Sequence, residues 1–298
     1  MDSSNATLSR FKATLRLIAA AAIIVTSMLA VTGVGAACSK KTKPVAVFMG
    51  IAPEQTGHFA YWAIADLNED EDLWDIYARF KDSSDAQQLG ELVQVLAIVE
   101  DSARIFGSDN AATLEAPVTV LRAKFDVKYV EGQLETLGYS RSEHRDVGIW
   151  IAGDGQPYRP VALLSGTILI GNATELKACI DAAKDKAESL YDDPYIRVLA
   201  DRLPKGMVVE VYRATPSSTQ PYTDLVAYGK SYSKVKKDLL KVTAVYVFGD
   251  GPAAGAALDP IKENLSVAFQ DVKIDRDDNL VVATARISIS NFAQSLEF

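Results

Sequence analysis

Histidine and cysteine are scarce, with two of each in 298 residues. A zinc centre needs three or four converging nitrogen, sulfur or oxygen ligands. Neither His58 nor His144 has a second His or a Cys at ligand spacing, so no metal centre is expected. Two thiols cannot staple a small disulfide scaffold. The chain also lacks a Walker loop, a G-x-G-x-x-G fingerprint and a G-x-S-x-G elbow. Phosphate cradles, dinucleotide sites and the nucleophile turn of the α/β-hydrolases therefore have no signature here, and nothing implies a cofactor. Positive charge is in deficit: 31 Lys and Arg face 39 Asp and Glu, and beyond residue 37 the balance is 28 against 38. An acidic body repels phosphate backbones, which excludes nucleic acid as the expected partner. The one cationic cluster, Lys230, Lys234, Lys236, Lys237 and Lys241, reads as the solvated face of a helix. Long apolar runs are missing too, with one exception, so the chain is not a multi-span membrane protein.

That exception is at the N-terminus. Arg10, Lys12 and Arg16 precede Leu17–Ala37, which carries no charge. Its strongly apolar part, Leu17–Val31, has the length of a signal-peptide core and is short for a bilayer span of ~20 residues. Small residues follow, then Cys38, then the polar run Ser39-Lys40-Lys41-Thr42-Lys43. The order resembles a bacterial lipoprotein signal, in which the Cys after the small residues becomes the new, lipid-linked N-terminus. Gly35-Ala36-Ala37-Cys38 matches at the small positions and departs at Gly35, where the family usually has Leu. The resemblance implies lipid attachment at Cys38 and a body outside the cytoplasm, held at the membrane by acyl chains. Cleavage after Ala36 with free secretion, and an uncleaved anchor, are the alternatives; both also place the body outside the cytoplasm. If Cys38 is acylated, Cys179 stands alone. It falls on the apolar side of a predicted helix with Leu176 and Ile180, as a buried, inert thiol.

The chain is 48% apolar and 23% charged with ordinary Gly and Pro content, which suits a globular fold. The patterning predicts a strand over 58–67, helices over 70–107 divided at Asp82–Asp85, and a loop over 108–115. It predicts a strand over 118–125, a helix over 127–138 capped by Asp126, and strands over 147–151, 161–164 and 167–170. Asn172 with Glu175 opens a helix to about 186, and Asp193-Pro194 opens another that ends near Leu203-Pro204-Lys205-Gly206. A strand over 207–212, a helix over 222–240, a strand over 242–248 and a helix over 253–265, broken or kinked at Pro260, follow. The chain closes with a hairpin of 267–274 and 280–289, its first strand bulged near Gln270-Asp271. This gives an α+β fold in which two similar β-α-β-α-β-β halves carry mainly antiparallel sheets with helices on one face. The divisions are a signal over 1–37, a tether over 38–44, a first half over 45–171, bridging helices over 172–206 and a second half over 207–298.

The stretch Leu164-Ser165-Gly166-Thr167-Ile168-Leu169-Ile170-Gly171-Asn172, then a helix, Asp192-Asp193-Pro194, a second helix and Leu203-Pro204-Lys205-Gly206, resembles a family of exported bacterial lipoproteins of unknown function. The similarity covers most of residues 45–290. It implies fold and location and brings no activity.

Three local patterns touch on chemistry. Ser231-Tyr232-Ser233-Lys234 matches the S-x-x-K of penicillin-interacting enzymes, but S-D-N and K-T-G companions are missing. Asp66-Leu67-Asn68-Glu69-Asp70-Glu71-Asp72 is spaced like a calcium loop, yet Glu71 stands where the loop needs Gly and Tyr77 where it needs a bidentate Glu. The acids read instead as complementing a helix N-terminus. No carboxylate pair can be singled out among 39 acids. The residues thus favour a lipid-anchored extracytoplasmic protein with a non-catalytic binding or structural role at the cell envelope. Its partners would be the membrane, through the lipid, and an envelope protein or small ligand. An envelope hydrolase with an unidentified site, or a carrier of a lipid or hydrophobic solute, are the alternatives.

Overall fold

Three helix starts in this chain are written by aspartates, while the expected cap Asn172 makes no side-chain bond to the first-turn amides of its helix. Asp126 accepts hydrogen bonds from the Lys128 and Tyr129 amides, Asp193 from those of Tyr195 and Ile196, and Asp250 from that of Ala253. Each satisfies amides that the first helical turn leaves orphaned. The computed structural model describes residues 43–70, 73, 98–107, 117–154, 158–214 and 222–295. Seven α-helices are seen among them: α1 Pro44–Met49, α2 Ile64–Asn68, α3 Val127–Thr136, α4 Ala173–Ala183, α5 Pro194–Arg202, α6 Gly251–Ala268 and α7 Ile289–Ser295. None is long and apolar enough to cross a membrane.

The strands are β1 Thr56–Trp62, β2 Ile98–Gly107, β3 Val118–Lys124, β4 Ser140–His144, β5 Val147–Ile151, β6 Val161–Leu164, β7 Thr167–Ile170, β8 Val208–Arg213, β9 Leu225–Lys236, β10 Leu239–Phe248, β11 Gln270–Asp277 and β12 Leu280–Ser288. All twelve join one antiparallel sheet in the order β11-β12-β10-β9-β8-β1-β2-β3-β7-β6-β5-β4. The sheet is therefore continuous across the divisions 45–171 and 207–298, and β1 against β8 is its seam. Outward from that seam each side runs as a three-strand meander, then the last strand of a later hairpin.

Side chains alternate across each strand, and the core divides accordingly. Phe59, Tyr61, Val209, Val211, Val245 and Val247 face one side, under α1, α4 and α5. Trp62, Val208 and Tyr232 face the other side with α2 and α7; Leu121 and Ile168 do so with α3, and Ala244 and Tyr246 with α6. The helices thus lie on both faces, not on one as expected. A sheet of this length has apolar residues on both surfaces and must cover both.

Several expected elements are found: β3, β5, β6, β7, β8, β10, β12, α3, α4 and α5 stand where the pattern put them to within a few residues. The register shift in β11 falls between Gln270 and Lys273, at the expected bulge, with Asp271 at φ 54. Helix α6 runs unbroken through Pro260. Other expectations are corrected. Residues 98–107 form β2, not the end of a helix. Residues 225–236 form β9, so the lysine cluster is not a helix face, and no described helix separates β8 from β9. The second half therefore does not follow β-α-β-α-β-β. The polar segment around His144 is a strand, β4, turned by Arg145 and Asp146, both at positive φ. The signal, Cys38 and the expected helices over 71–97, except Leu73, lie outside the described residues.

Candidate functional site

The sheet register around the seam lays three rows of side chains across the second face. In the first, Trp62, Val208, Tyr232 and Val242 stand opposite one another on β1, β8, β9 and β10. They pack under α2 and α7, with Tyr232 against Phe292. In the second, two residues on, lie Arg104, Ala60, Glu210, Lys230 and Ala244. The third is aromatic: Phe106, His58, Tyr212, Tyr228 and Tyr246, one from each of five neighbouring strands.

The aromatic row is a stack. Centroids are 4.8 Å apart for Phe106 and His58, 4.1 Å for His58 and Tyr212, 4.6 Å for Tyr212 and Tyr228, and 6.0 Å for Tyr228 and Tyr246. Interplanar angles are 10°, 6°, 7° and 15°. Strand spacing of about 4.8 Å sets these distances, and cross-strand contact of this kind is the unit of sheet stability. The ring normals run along the sheet, so the ring faces are spent on one another. Tyr246 is buried against α6 and the Tyr212 hydroxyl donates to Glu210, while His58, Phe106, Tyr212 and Tyr228 keep partly exposed edges. A planar ligand cannot be sandwiched on it; a ligand that meets hydrogen-bonding edges can.

Beside the stack, Glu210 is half-buried and accepts from both neighbours: the Tyr212 hydroxyl at 3.3 Å and the Tyr232 hydroxyl at 3.3 Å, one on each oxygen. Burial raises its carboxyl above the ordinary range, and Lys230 directly opposite, with the two hydroxyls, works against that rise. The carboxylate in turn raises Tyr228, whose hydroxyl is pushed up to about 12 chiefly by burial. His58 is lowered to about 4 by burial and then by the Lys230 ammonium, and its Nε2 is buried with no hydrogen-bond partner. A neutral imidazole, a compensated carboxylate and neutral phenols therefore share the seam at neutral pH.

The residues picked out by sequence are scattered by the fold, except His58. His144 ends β4 at the sheet edge, where its Nε2 lies 2.9 Å from Asp181 on α4, a carboxylate also held by Arg145. Those contacts, Arg145 first, keep Asp181 below the usual carboxylate range. Ser231 and Lys234 lie on a strand, and a three-residue step on a strand reverses face. The Ser231 hydroxyl donates to the Pro204 carbonyl at 3.0 Å, while Lys234 pairs with Asp70, so S-x-x-K converges on nothing. In the acidic run Asp66 pairs with Lys205 at 3.4 Å, and no metal-binding group is found among the described residues. Cys179 is fully buried with Leu176 and Ile180 on α4, and burial pushes its thiol up to about 12. Cys38 lies outside the described residues.

Sequence reading missed Glu210, Tyr212, Tyr228 and Tyr246, and it placed Lys230 and Tyr232 on a helix instead of a strand. The signal was present in part: Tyr228, Lys230, Tyr232 and Lys234 alternate at period two, which a strand reading would have ranged along one face. The chain matches no family model, no curated protein and no solved structure.

Proposed function

We propose that the protein is an extracytoplasmic lipoprotein, anchored through Cys38, that binds an envelope component along the β1–β8 seam. One observation carries the binding part: a five-ring stack, four of its rings partly exposed, lies beside a charged row across the centre of a continuous sheet. Its chemistry suits a partner with hydrogen-bonding groups spaced along a strand, such as an extended peptide or a polar glycan edge. Glu210 argues for binding over catalysis, because each of its oxygens already accepts a tyrosine hydroxyl. The anchor follows from the sequence before Cys38, which resembles a bacterial lipoprotein signal. The related arrangement of strands on the two sides of the seam supports an origin by duplication, with an extra hairpin, β4–β5, on one side.

The test has two arms. Metabolic labelling with a fatty acid should mark the wild type and not Cys38→Ala; equal labelling of both rejects the anchor. In a deletion strain, Tyr212→Phe and Tyr228→Phe together should fail to rescue an envelope defect, whereas His144→Ala should rescue it. Full rescue by the double tyrosine variant rejects the seam as the binding surface.

A further inference from the structure

Lys43 closes the tether by docking on α5. Its Nζ donates to the carbonyls of Ala200 at 3.1 Å, Asp201 at 2.8 Å and Leu203 at 2.8 Å. A cation there satisfies end carbonyls and faces the negative pole of the helix. Beyond the other end of α1, the Leu190 amide donates to the Ala52 carbonyl at 2.8 Å, just ahead of α5. The two helices therefore lie side by side and antiparallel on the first face. Their outward side chains include apolar ones: Val47 is 44% exposed, Val198 41% and Tyr195 40%. Arg197 and Arg202 stand on the same exposed side of α5 with Asp201, Arg197 3.5 Å from Asp192 and Arg202 2.6 Å from Asp277.

Four residues, Ser39-Lys40-Lys41-Thr42, separate Cys38 from Lys43. Fully extended, that link reaches at most about 18 Å. A thioether-linked lipid at Cys38 would therefore hold the docked Lys43, and with it the α1–α5 face, close to the headgroups. Apolar side chains, an interfacial tyrosine and two arginines, whose exposed ion pairs are weak enough for a phosphate to displace, form a mixture suited to an anionic headgroup layer. Resting on the acylation of Cys38 proposed above, we infer that the α1–α5 face is the membrane-facing surface of the anchored protein, its occupant a bilayer containing anionic phospholipid.

The reagent for a test is built in, because Cys179 is buried and an acylated Cys38 has no free thiol. Val47→Cys, Val198→Cys and Val267→Cys each add one reactive thiol to the full acylated protein; all three sites are exposed, so the fold is kept. Val267 sits on α6, on the opposite face of the sheet. Each variant is labelled with an environment-sensitive fluorophore and reconstituted in phosphatidylethanolamine–phosphatidylglycerol vesicles carrying a headgroup quencher. Quenching at 47 and 198 several-fold above that at 267 is the expected result. Equal quenching at all three sites, with the protein still on the vesicles, overturns the orientation and leaves the anchor standing. Failure to take fatty-acid label and to stay on vesicles rejects the anchor, and the orientation with it.

Discussion

His58 should make this protein lose stability in mild acid, through a single ring. The imidazole is held between Phe106 and Tyr212 in a near-parallel stack, with a buried, unpartnered Nε2 and the Lys230 ammonium nearby. Protonation would place a second cation beside Lys230 and bury a charged N–H without an acceptor, so the ring stays neutral and titrates at about 4 instead of the ordinary 6.5. The unfolded chain binds this proton at the ordinary value and the folded chain does not. Stability from this group is therefore intact above the unfolded value and falls as pH drops from there toward the folded one. Between about pH 7 and about pH 5 the loss comes to roughly 2 kcal/mol. His58→Phe keeps the ring stack and removes the proton site. Urea unfolding of both proteins across that range should show the wild type losing this amount more than the variant. Parallel pH dependences of the two proteins would refute the reasoning, since His58 would then titrate alike in both states.

Lys43→Ala leaves the end carbonyls of α5 without their cation and should cost roughly 0.3–1 kcal/mol, read as an earlier urea midpoint with an unchanged slope. Gly229→Ala should cost about 1–3 kcal/mol in thermal unfolding, because its Cβ would stand 2.7 Å from Leu199 Cδ2 and 2.8 Å from the Glu210 carbonyl oxygen. In the Cys38→Ala protein the Cys179 thiol, fully buried and pushed up to about 12, should not react with a thiol reagent at mildly alkaline pH until denaturant is added.

Local chemistry was legible wherever one residue type permits one geometry. Asp126 and Asp193-Pro194 marked helix starts because a carboxylate can accept from the first-turn amides and Pro costs nothing there. The hairpin of β11 and β12 was legible because Val281, Ala283, Ala285 and Ile287 alternate cleanly. Ambiguity entered where two periods coincide. Lys230 and Lys234 are four apart, which is one helical turn and also two strand steps. The 225–236 segment was thereby read as a helix, although Ala227, Gly229 and Ser231 on the alternate face are the small residues a strand needs beneath α5. His58 was visible as a lone imidazole, but its stack is made with residues 48 and 154 positions away, which no local pattern connects.

By itself the sequence determined where α3 and α5 begin, which strands of the last hairpin alternate, that the body is acidic, and what precedes Cys38. These follow from neighbouring residues and from composition, whose physics acts over one or two turns of chain. The sequence reading did not foresee α1, or α2, which starts inside the expected strand 58–67. Only the tertiary structure decided that β1 pairs with β8, and everything at the seam depends on that pairing. Backbone hydrogen bonds are alike for every strand pair, so which strands meet is set by how the whole chain buries its apolar faces. Once they meet, the two-residue pleat and the strand spacing bring Phe106, His58, Tyr212, Tyr228 and Tyr246 into one stack and put Glu210 opposite Lys230.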